Sequence, residues 1–167
     1  MGFVSPQFDV IDNNFLPHPT KSLEVICSKK IQTFRTITAI SAIADALRDP
    51  NTGLLLPNRT LVASVRNMAA TVGIDKVFNI FTTAATVVDT TNNEPIVSQT
   101  VLVDDVVDCP GVRPGDVLQK HDIQPHATFA VRNAAQSFVF ITVWINACVI
   151  VARESALQIQ AAEPFCP

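Results

Sequence analysis

The residues best suited to chemistry in this chain are its histidines and cysteines. His121, Asp122 and His126 lie close together, and imidazole and carboxylate are metal ligands. His121 and His126 are therefore the candidate metal-binding residues, with weak binding expected, because a polar loop of this kind usually leaves histidines in water. The four cysteines, Cys27, Cys109, Cys148 and Cys166, form no CxxC pair of the metal or redox type. Cys148 falls inside an apolar run and reads as buried. In a reducing compartment all four are expected to be thiols. Cys166 is one residue from the C-terminus and can reach a neighbouring molecule, so Cys109 and Cys166 are the expected intermolecular cross-link. The five glycines, at 2, 53, 73, 111 and 115, permit neither GxGxxG nor GxxxxGK[ST], and no GxSxG elbow exists. No catalytic residue set, cofactor or resident metal is expected, and the chain reads as a non-enzyme.

One segment has a family resemblance. Pro114-Gly115-Asp116-Val117, then Pro125-His126-Ala127 and Arg132-Asn133, is similar to the second conserved motif of the cupins. There a Pro-Gly-Asp turn opens a strand and a Pro-His pair ends the following turn. The resemblance implies a jelly-roll strand pair. The earlier cupin motif, HxH with Glu, has no counterpart, since the one upstream histidine is His18. A three-histidine metal centre is therefore not implied.

The elements that position these residues read mainly as strands. Val, Ile and Thr supply 50 of the 167 residues, and β-branched side chains favour a pleated, half-buried surface. Alternation marks 23–38, 77–89 and 96–107 as strands, with a polar turn at 90–95 making the last two a hairpin. Residues 109–116 are a loop, and 117–120, 128–132, 138–152 and 156–160 are further strand segments. The run 138–152 alternates Val139, Ile141, Val143, Ile145, Ala147, Val149 and Val151, a core face, with Phe138, Phe140, Thr142, Trp144, Asn146, Cys148 and Ile150. A strand apolar on both faces is central in its sheet or covered by another subunit.

Two stretches are ambiguous. Ile37, Ile40, Ile43, Ala44 and Leu47 share a helical face that Pro50 stops, while Asp49-Pro50-Asn51-Thr52-Gly53 equally suits a turn between strands 37–48 and 54–65. Leu61, Val62, Val65, Met68, Ala69 and Val72 form a helical stripe over 58–73, which reads as helix or strand alike. The expected fold is all-β, a β-sandwich or jelly roll with an extended N-terminal arm. The alternative is α+β, with one or two helices within 37–72. Residues 1–20 form the arm and 21–167 a single sandwich domain.

Function follows from composition and layout. Charged residues are 16% of the chain and the net charge is −3, so clustered cations for nucleic acid are not expected. The longest apolar run falls short of a membrane span, so no membrane insertion is expected. No signal peptide is visible, which predicts synthesis in the cytoplasm, with release to an extracellular, spore-surface or virion structure compatible with that. The arm carries Phe3, Phe8, Phe15 and Leu16, too apolar for a solvated tail, and these are the expected docking residues on a neighbouring copy. Early cations (Lys21, Lys29, Lys30, Arg35) and late acids (Asp104, Asp105, Asp108, Asp116, Asp122) are either two solvated faces or complementary patches between copies. In layout the chain resembles the small jelly-roll subunits of bacterial spore coats and appendages. That implies a self-assembling structural protein, partnered by itself in a filament, layer or shell and disulfide cross-linked. A capsid-like subunit fits nearly as well, and a cupin-like small-ligand or metal-binding module is the alternative.

Overall fold

The computed structural model describes residues 20–132 and 138–157. The expected arm lies outside the described residues, apart from Thr20, where the first strand begins. Six strands and one short helix follow in order: β1 (Thr20–Thr38), α1 (Ser41–Leu47), β2 (Arg59–Val72), β3 (Lys76–Asp89), β4 (Glu94–Asp108), β5 (Val117–Arg132) and β6 (Phe138–Leu157). They form two three-stranded antiparallel sheets, ordered β1-β6-β5 and β2-β3-β4. The fold is an all-β sandwich.

Val25–Arg153 forms one compact unit. The described ends of the chain, 20–24 and 154–157, belong to a second, in which the Ser22 and Ser155 hydroxyls hydrogen-bond at 2.8 Å.

The core of the larger unit follows from period-2 alternation. On β6 the whole odd face, Val139 to Val151, is buried. It meets Phe81, Ala85 and Val87 of β3 and Val101 and Val103 of β4 in one cluster. A second cluster gathers Cys27, Val77, Val107, Cys109, Val112, Val149 and Val151 at the other end of the strands. Between these clusters the inner face of β3 carries Asn79, whose registered neighbour on β4 is Asp105. The margins of the two sheets are tied by side chains. The Thr33 hydroxyl donates to the Asp104 carbonyl at 3.1 Å, and Arg35 lies 3.6 Å from the Asp104 carboxylate. On the other side the Lys120 ammonium donates to the Ala69 carbonyl at 3.1 Å and lies 4.5 Å from the centroid of the Phe81 ring. Burial lowers the Lys120 pKa.

The ambiguous stretch 37–72 resolves into both kinds of element. Residues 41–47 are helical, so of the two readings of 37–48 the helix holds, and α1 buries Ile43, Ala44 and Leu47 in the main cluster. Gln99 holds its start, accepting from Ile40 N–H at 2.9 Å and donating to the Thr38 carbonyl at 3.3 Å. The expected turn follows: the Asp49 carboxylate accepts from the Asn51 and Thr52 N–H groups, and Gly53 takes a φ of 70°. Residues 59–72 are strand, not helix. Leu61, Ala63 and Val65 point inward, then a bulge between Val65 and Asn67 shifts the register.

Residues 117–132 are one strand, not two segments. Pro125 is tolerated because β5 is a sheet edge, where a missing N–H breaks no ladder. Among the described residues no helix is long and apolar enough to cross a membrane.

Candidate functional site

The chemistry-bearing residues separate into three places. The first is the disulfide. Cys27 of β1 and Cys109, just after β4, are bonded to each other with Cα atoms 5.6 Å apart. This corrects the expectation of four thiols, and it occupies the Cys109 sulfur that was expected to link to Cys166. Cys166 itself lies outside the described residues. The bond is buried in the second apolar cluster and joins the two sheets. Hydrogen bonds stitch the same corner: Cys109 N–H donates to the Asp75 carbonyl, and Gly111 N–H to the Asp75 carboxylate.

The second place is the Pro114-Gly115-Asp116 turn. Arg153 of β6 grips the Asp116 carboxylate through Nε at 2.9 Å and Nη2 at 2.8 Å, and Nη2 also donates to the Gly111 carbonyl. Arg113 N–H donates to the same carboxylate at 2.8 Å. The Arg153 bonds, then that from Arg113, hold the Asp116 pKa down to about 2. The motif is thus a structural clamp. The Pro125-His126 pair lies within β5 rather than at a turn. Three of the late acids find cations inside the chain, Asp104 with Arg35, Asp108 with Lys76 and Asp116 with Arg153.

The third place is the outer face of the β1-β6-β5 sheet, where a pocket of about 520 Å³ is lined by Lys30, Ile31, Gln32, Asp122, Gln124, Asn146, Ala147 and Cys148. A bulge between His121 and Gln124, with Asp122 at a φ of 51°, breaks the pairing of β5 with β6 and forms one wall. Cys148 is a free thiol, half-buried rather than buried, because it lies on the outer face of β6. His121 faces Cys148 across the strands and His126 faces Trp144, so both candidate metal residues are on this exposed face. The His121 ring nitrogen Nε2 is 3.3 Å from Gln119 Oε1. Among the described residues no three His, Cys, Asp or Glu side chains converge to hold a metal ion. The side-chain amides of Gln32, Gln124 and Asn146 make no hydrogen bond to protein among the described residues. Of the sequence candidates, Asp122 lines the pocket while His121 and His126 do not. Cys148 was expected to be buried, Lys30 was read only as one of the early cations, and Gln32 and Gln124 gave no signal beyond a polar strand face.

The opposite sheet has a different outer surface. Phe78 and Val106 are directly opposed across β3 and β4, and Ile80, opposite Asp104, and Leu102, opposite Thr82, lie further along the same face. The exposures of Phe78, Val106, Ile80 and Leu102 are 46%, 53%, 46% and 58%, and the exposed Asp104 lies among them. Phe3, Phe8, Phe15 and Leu16 lie outside the described residues. Comparison with protein-family models, curated proteins and solved structures finds no match.

Proposed function

We propose that the chain is a non-enzymatic structural subunit that self-assembles into a filament, layer or shell. The observation that supports this most directly is the outer face of the β2-β3-β4 sheet, where Phe78, Ile80, Leu102 and Val106 are exposed around Asp104. Clustered exposed apolar side chains of this kind mark an interaction site. The N-terminal segment supplies apolar side chains to cover it, Phe3, Phe8, Phe15 and Leu16. Fully extended, the 19 residues before β1 span about 60 Å, enough to reach a neighbouring copy. The jelly-roll form of the sandwich and the likeness to spore-coat, appendage and capsid-like subunits belong to this proposal, as does release to an extracellular structure. The Cys27–Cys109 bond agrees with an oxidising destination. Negative-stain electron microscopy and sedimentation of the purified chain test it. Regular assemblies are expected, and Leu102→Lys is expected to disperse them. A field of small monodisperse particles from the unaltered chain would overturn the proposal.

A second reading, a small-ligand-binding module, is favoured by the pocket at the β5 bulge, whose volume falls within the range of small-molecule sites.

A further inference from the structure

We infer that the outer face of the β1-β6-β5 sheet binds a neutral saccharide, with a pyranose ring over Trp144 and Phe34 and its hydroxyl groups held by Gln32, Gln124 and Asn146. The inference rests on the small-ligand reading of the pocket and is independent of assembly.

The placement follows from register. Gln124, His126 and Thr128 of β5 face Asn146, Trp144 and Thr142 of β6. On the other side of β6, the Thr36 and Thr142 hydroxyls hydrogen-bond at 2.9 Å. Side chains two residues apart share a face. Steps of two from Thr36 therefore set Phe34 beside Trp144 and Gln32 beside Asn146, and Gln32 and Asn146 do line one pocket. The sheet thus presents an aromatic row, Phe34 and Trp144 with His126 at its end, beside an amide row, Gln32, Asn146 and Gln124. Phe34 is 63% exposed, which is unusual for a phenylalanine that serves only the fold.

The lining chooses among ligand classes. Each amide carries both a donor and an acceptor, which suits a hydroxyl group that is itself both. Lys30 and Asp122 bring opposite charges to the same pocket, so its lining does not select an anion or a cation. A phosphate or dicarboxylate site would gather cations, and an apolar ligand would leave the amides without partners. A pyranose ring matches both rows, because its C–H face covers an aromatic ring while its hydroxyl edge meets the amides.

The chain carries its own reporter. Trp144 is the one tryptophan and tyrosine is absent, so protein emission comes from this face. For so open a site, dissociation constants on the order of 1 mM are expected. The full chain is titrated separately with maltotriose, cellotriose and N-acetylchitotriose, and with citrate and glutamate. Emission is followed together with the rate of Cys148 alkylation, read by peptide mass spectrometry. A saturable emission change and slowed Cys148 alkylation with at least one oligosaccharide are expected. Gln124→Ala and Asn146→Ala are each expected to weaken binding at least fivefold, while Ser98→Ala, on the other sheet, leaves it unchanged. A response to citrate or glutamate alone overturns the saccharide and leaves the pocket reading standing. Silence with every probe overturns both. Saturable binding untouched by Gln124→Ala and Asn146→Ala places the ligand elsewhere and overturns the inference.

Discussion

Asn79 is the residue at which the interior is least answered. It is 1% exposed, and neither its Oδ1 nor its Nδ2 has a hydrogen-bond partner among the described residues. A buried polar group left in that state costs about 1–3 kcal/mol. Asn79→Leu is similar in volume and should therefore raise the midpoint of urea unfolding, a gain of about 1 kcal/mol or more. An unchanged or lowered midpoint would show that the amide is doing something for the fold. Asp116 makes the opposite case, a charge fully answered. Its side chain is 6% exposed, and Arg153 and Arg113 N–H together hold its pKa down to about 2. The folded-state value lies below the unfolded one, so this stabilisation is present above the ordinary carboxylate range and is lost as pH falls toward 2. Asp89 is held down to about 2 as well, by the Thr91 hydroxyl, the Thr91 N–H and Arg59. Melting temperature should fall across that acid window. Asp116→Asn should lower it at neutral pH and flatten part of the acid slope, and an unaltered slope would remove the clamp from the account.

At the scale of elements, legibility depended on whether period 2 ran unbroken. β6 was readable because every odd residue from Val139 to Val151 is apolar and every one is buried. β2 was not, because the bulge after Val65 shifts the pattern by one residue, and the residues then recur at helix-like intervals. β5 read as two pieces because Pro125 and a bulge interrupt it, although its edge position tolerates both. The pocket shares that fate, since its wall is the bulge and its amides come from three strands. The Cys27–Cys109 link was out of reach for another reason: 82 positions separate its ends, and only the packing of the two sheets brings them together. Closing so long a loop restricts the unfolded chain, and loss of such a bond typically costs about 2–5 kcal/mol. The double variant Cys27→Ala, Cys109→Ala should show that loss in urea unfolding. Reductant should lower the unaltered protein by a similar amount and leave the double variant unmoved. Equal stability of all three would mean that the bond merely bridges two already rigid sheets.

At the scale of the whole molecule, the question is whether the arm and the apolar face meet each other or serve separate contacts. Phe8 and Phe15 stand before β1, and Phe78 and Leu102 stand on the β2-β3-β4 sheet. If an arm covers a neighbour's face, removing either partner abolishes the same contact. The effects of Phe8→Ser with Phe15→Ser, and of Leu102→Lys, should then fail to add. Each change alone should raise the concentration at which assemblies form, and their combination should raise it no further than the stronger one. Additive effects would assign the arm and the face to two interfaces. A head-to-tail contact that does not close extends into a filament, whereas one that closes yields a ring or shell. The cycle is therefore best read by sedimentation beside images of the same samples. Non-additivity in filaments and in closed particles alike would place the arm–face contact in the repeating unit itself, with the angle between successive copies deciding the form.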